Sequence, residues 1–152
     1  MKILITIVFL LLIDLQAKAC SSCVVGKDMA KCDYYVKKEH NLKYQSNCIA
    51  YAKAIDQDGM FAKASWYYLL GGDKDKAKSS AIKALKIGQY YAAEYMGFVY
   101  ILENDKKHAK DELKFFKQKV KDVKFAKKDI KDMKSIYKNF NDKFSYQILY
   151  EK

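Results

Sequence analysis

Two stretches of this chain repeat one pattern at an offset of 32 residues, and that offset constrains the fold more than any other feature. Between Phe61 and Phe116, Ser65 answers to Gly97, Tyr68 to Tyr100, Gly72 to Asn104, Asp73 to Asp105, Ala77 to Ala109 and Ala81 to Leu113. A period of this length holds two short helices and a turn. Such a unit has an apolar face that only a neighbouring unit can cover. Small side chains at Ser65, Gly97, Ala77 and Ala109 are expected to let paired helices approach closely, with Tyr68 and Tyr100 filling the space between successive pairs. A more diverged first copy extends the ladders upstream. Tyr35 precedes Tyr68, Cys32 precedes Ser65 and Cys48 precedes Ala81, each by 33 residues.

The chain has no Pro and only 6 Gly, which suits helical tracts joined by tight turns. No segment alternates apolar and polar residues long enough for a strand. The expected class is all-α, an α-solenoid of about three antiparallel helix pairs over residues 26–57, 58–89 and 90–121. In the first unit, helices are expected over Lys27–Lys38 and Tyr44–Ile55, around a turn at Glu39–Leu42. Past Asp122 the small-residue ladder stops, while Phe125, Ile130, Met133, Tyr137, Phe140 and Phe144 keep helical spacing. Residues 122–152 therefore read as helices that cap the stack.

The stretch from Lys86 to Tyr100 is the most specific. Gly88, Ala92, Gly97 and Tyr100 follow the spacing G-x3-A-x4-G-x2-Y. The segment resembles tetratricopeptide repeats, in particular the Sel1-like variant. That resemblance implies a protein-interaction fold in which the first helix of each pair lines a concave face. Carried over by residue, it puts Trp66, Leu69 and Leu70 on that face from one unit and Tyr91, Glu94, Phe98 and Ile101 from the next. Asp33, Val36 and Lys37 come from the first. The binding residues it implies are Trp66, Leu69, Tyr91, Glu94, Phe98 and Ile101, an aromatic and aliphatic strip suited to a peptide or partner helix. The same large side chains could instead be packed between helices.

Residues 1–19 read as a signal peptide: Lys2 supplies the charge, Ile3 to Ile13 an apolar run, and Ala17-Lys18-Ala19 a small-x-small cleavage site. The run is shorter than the roughly 20 apolar residues of a membrane span. Residues 20–25 follow as a flexible segment with a Cys-x-x-Cys motif, and residues 26–152 as the helical domain. A periplasmic or secreted location is expected. The alternative is an envelope lipoprotein anchored through Cys20, which directly follows the cleavage site; Ala17 and Lys18 depart from the usual residues before a lipidated cysteine.

Four cysteines in an exported chain point to disulfides. Under the repeat reading, Cys32 and Cys48 lie equidistant from His40 at the turn of the first hairpin and face each other, so they are expected to bond. Cys20 and Cys23 are left for a local disulfide, or for lipidation of Cys20. The motif has no strand before it, as a redox pair would need, and Val24 stands where haem attachment requires His. A four-cysteine zinc site is disfavoured in an oxidising compartment.

All 29 basic residues are Lys, and the net charge is +11. Arg, the residue that forks onto phosphate and reads guanine, is absent, so no nucleic-acid partner is expected. The charge is compatible with weak attraction to an anionic membrane surface. The two histidines, His40 and His108, belong to no nucleophile or metal-ligand pattern, and Asp111-Glu112 reads as a solvated pair. No catalytic residue, metal site or cofactor is expected. The reading is an exported adaptor or scaffold that binds another protein or peptide in its concave groove; the alternatives are a lipoprotein anchored through Cys20 that assists a membrane or secretion assembly and, less favoured, a thiol-redox or cell-wall enzyme.

Overall fold

The computed structural model describes residues 25–120 and 122–151. The expected signal peptide, and Cys20 and Cys23 with their alternatives, lie outside the described residues. Eight helices and no strand are found among those residues. Helix α1 covers residues 25–38 and is π-helical over Cys32–Lys38. A 3₁₀ turn, Leu42–Tyr44, leads into α2 (Gln45–Gln57). Then come α3 (Phe61–Leu70), α4 (Lys74–Lys86), α5 (Ala92–Leu102), α6 (Lys106–Lys119), α7 (Ala126–Ile136) and α8 (Asp142–Tyr150). Each helix from α2 to α5 packs on the next, and α3 also packs on α5, the first helix of the following pair, as in a helical stack.

The turn inside each pair is the same device. Helix α3 ends with Gly72 at φ +86°; its N–H donates to the Leu69 carbonyl and the Asp73 N–H to the Tyr68 carbonyl. Helix α5 ends with Asn104 at φ +60°, bonded in the same way to Ile101, with Asp105 bonded to Tyr100. This left-handed cap satisfies the last carbonyls of one helix. The next residue then opens the following helix: the Asp73 carboxylate accepts from the Lys76 N–H at 3.0 Å, and that of Asp105 from the His108 N–H at 3.1 Å.

The first pair contains one residue more before its turn. His40 takes the left-handed position at φ +53°, and the Asn41 N–H reaches back to the Tyr35 carbonyl at 2.7 Å. That closure spans one more residue than the later copies. The π-helical stretch absorbs it, in the manner of an insertion bulge. It explains why Tyr35 and Tyr68 are 33 residues apart whereas His40, Gly72 and Asn104 are spaced by 32.

Helix contacts within each pair fall at corresponding places. Cys32 and Cys48 form a disulfide. In the second pair the Ser65 hydroxyl donates to the Ala77 carbonyl at 2.8 Å. In the third, a Cβ on Gly97 would lie 2.8 Å from Leu113, so glycine alone fits without a shift. Burial follows position. Helix α6 buries Ala109, Leu113 and Phe116, one stripe at helical spacing, with lysines around it. Helices α3 and α5 bury nearly every side chain from Ala64 to Leu70 and from Ala92 to Phe98, because neighbours cover both their sides. Among the described residues, no helix is long and apolar enough to cross a membrane.

Candidate functional site

The strip expected to line an open groove is interior, with one exception. Leu69 and Phe98 are fully buried, Trp66, Glu94 and Ile101 nearly so, and only Tyr91 is exposed, at 48%. Leu70 and Val36 are buried as well. The physical reason is the terminal hairpin, which folds over the inner face instead of extending the stack. The Tyr137 hydroxyl donates to the Leu69 carbonyl on α3 at 2.6 Å. Phe140 meets Phe98 of α5 edge to face at 5.4 Å between ring centres. Asp132 of α7 lies close enough to Lys37 and His40 to feel their charge. Trp66 stacks on Tyr95 of the next unit at 5.3 Å.

Burial beneath this hairpin includes carboxyl groups. Glu94 is 1% exposed, and its Oε1 has no hydrogen-bond partner among the described residues; the same holds for Asp132 Oδ2. Burial first, and the charge of Asp129 second, raise the Glu94 carboxyl well above the ordinary range. Asp129 is pushed up to about 6 by burial and then by Asp132. Asp132 is raised by burial, against the lowering pull of Lys37, Lys128 and His40. Beside them the Tyr67 hydroxyl donates to both oxygens of Asp33, at 2.9 and 3.1 Å, and burial raises its phenol.

An open, largely apolar concavity lies elsewhere, at the seam between the second and third helix pairs. A cavity of about 600 Å³ is lined by Met60, Lys63, Gly88 to Tyr91, Lys119 and Asp122, among others. Its size falls in the range of ligand pockets, roughly 300–1,000 Å³. Met60, Tyr90 and Tyr91 are 41%, 40% and 48% exposed, a concentration of large apolar side chains at one opening. Gln89 fixes its floor: its amide donates to the Gly59 carbonyl at 3.1 Å and accepts from the Ala62 N–H at 2.8 Å. That bridge ties the approach to α3 to the approach to α5. Lys119 hangs over the Tyr90 ring, 5.5 Å from its centre, so cationic and aromatic groups share the rim.

Tyr91 is the one residue of the expected strip in this cavity. Tyr90, Met60 and Lys119 were not singled out by sequence; the adjacent Tyr-Tyr pair just before α5 was the available signal. His108 lies in the first turn of α6, its Nδ1 2.6 Å from the carboxylate of the capping Asp105 and its ring stacked on Tyr100. Among the described residues, no group of three or more His, Cys, Asp or Glu side chains is arranged to hold a metal ion. No family model, no curated protein and no solved structure matches the chain.

Proposed function

We propose that this chain is an exported protein-interaction module of the tetratricopeptide-like, Sel1-like kind, and that it holds an acidic peptide segment at the Tyr90–Tyr91 cavity. The observation that carries this reading is the exposure of Met60, Tyr90 and Tyr91 around one cavity between helix pairs. Aromatic side chains held rigidly at an opening are the usual anchors of protein interfaces. Lys63 and Lys119 on the rim, and a net charge of +11, favour a partner with carboxylates flanking one apolar anchor. Asp122, also on the rim, would set the register of those charges. Export is supported by the leader-like first 19 residues and by the Cys32–Cys48 disulfide, a bond favoured outside the reducing cytosol.

Selection of random peptides displayed on phage against the purified chain tests this. Enriched sequences should carry Asp or Glu around a single aromatic or aliphatic residue. Their affinity should drop at least about tenfold for Tyr90→Ala, Tyr91→Ala at unchanged helicity. The reading fails if the enriched peptides show no acidic bias or bind the double variant as well as the native chain.

A further inference from the structure

The cluster under the terminal hairpin joins three elements. Glu94 comes from α5, and Asp129 and Asp132 from α7, with the Tyr150 phenol of α8 also facing Glu94 and Asp129. From α1, Lys37 faces both Asp129 and Asp132, and Asp33 faces Asp132; His40 faces Asp132 from the turn. Helix α3 contributes the Tyr67 hydroxyl, held on Asp33, and α5 also places Tyr95 beside Asp129 and Glu94. Lys128 of α7 completes the surroundings. No ion pair among the described residues engages Glu94, Asp129 or Asp132. Glu94 and Asp132 are buried and Asp129 is half-buried; carboxyls so placed without such a partner are costly when ionised and cheap when protonated.

We propose that the α7–α8 hairpin is a lid over the inner face of α1, α3 and α5, held shut while Glu94, Asp129 and Asp132 carry protons and loosened when they ionise. The lid has the parts such a device needs. Its near end is the non-helical connection at residues 122–125, and its grip on the stack combines α8 packed on α6 with Tyr137 on Leu69 and Phe140 on Phe98. The mutual repulsion of Glu94 and Asp129 acts across the interface between lid and stack, so ionisation works against closure itself. What opening uncovers is the apolar strip of Leu69 and Phe98.

The burial-raised Asp129 carboxyl, at about 6 against an ordinary 3.8, ionises more readily in the open form. Alone it makes opening roughly tenfold more favourable at about pH 8 than at about pH 5. Glu94 and Asp132 add in the same direction. Hydrogen exchange by mass spectrometry on the full chain, as protection factors that remove the intrinsic pH dependence of exchange, reads this directly. Protection in residues 126–150 should fall at least about tenfold between those pH values, while α2 and α4 change little. The triple replacement Glu94→Gln, Asp129→Asn, Asp132→Asn should flatten the difference. Equal protection of residues 126–150 at both pH values in the native chain overturns the proposal whether or not the triple variant folds. So does the native pH dependence persisting in that variant.

Discussion

The Tyr137 hydroxyl ends on the Leu69 carbonyl, 2.6 Å away, and so pins the terminal hairpin to the inner face of the second helix pair. Burial raises its phenol to about 12, so it remains a donor through the physiological range. Replacing Tyr137 by Phe keeps the ring and leaves a half-buried carbonyl without this donor. A loss of about 1–2 kcal/mol is expected in urea denaturation. No change in midpoint would mean that the bond contributes nothing net.

Phe140 is fully buried against Phe98 and belongs to the same attachment. Phe140→Ala should cost about 3–5 kcal/mol through lost transfer energy and the cavity left behind. The effect should be concentrated in exchange protection of residues 126–150. Uniform loss across all helices would mean that the hairpin and the stack open only together.

Close approach in the third pair sets a different expectation. Gly97→Ala gains helix propensity of about 1 kcal/mol, yet its Cβ would sit 2.8 Å from the buried Leu113. Overpacking of this kind costs about 1–3 kcal/mol, so a net loss of stability is expected. Gly71→Ala should behave likewise, because its Cβ would meet the α2 backbone at 3.2 and 3.3 Å as well as the Ile49 side chain. A gain in thermal midpoint for either would show that the helices can part without penalty.

The disulfide of the first pair closes a sequence separation of 16. Cys32→Ser with Cys48→Ser should remove about 3 kcal/mol, mainly by freeing the unfolded chain. Non-reducing peptide mapping should recover the Cys32–Cys48 peptide, and a bond from Cys20 or Cys23 to either would contradict this pairing.

Global stability should also depend on pH. Asp129 has a higher pKa in the folded chain, about 6, than the 3.8 of an ordinary aspartate. Its protonated form is therefore favoured by folding. The contribution is complete below about pH 3.8 and is lost as pH rises through about 6, on the order of 3 kcal/mol in all. Urea midpoints should fall across that window, and Asp129→Asn should reduce the fall.

The sequence made the repeating parts legible because they rest on local chemistry. Gly72 and Asn104 take the left-handed turn, Asp73 and Asp105 cap the next helix, and Ser65 and Gly97 mark where paired helices touch. Each role needs a particular residue type, so each leaves a ladder. The step of 33 between Tyr35 and Tyr68, against 32 later, also marks the π-helical insertion in α1. The inner face was less legible. The spacing of Tyr137 and Phe140 identifies helices but not which surface they cover, and a first-helix position such as Phe98 looks alike whether it faces solvent or a returning hairpin. Nor does the periodic pattern weigh the loop before α5, where Tyr90 and Tyr91 sit outside helical spacing.

The most direct measurement is the affinity of one selected acidic peptide for three full-length chains: native, Tyr90→Ala with Tyr91→Ala, and the inner-face variant Phe98→Leu. The expected result is a loss of at least about tenfold for the tyrosine pair and little change for Phe98→Leu. An affinity that survives loss of both tyrosines but drops with Phe98→Leu would contradict binding at the seam and place it on the inner face.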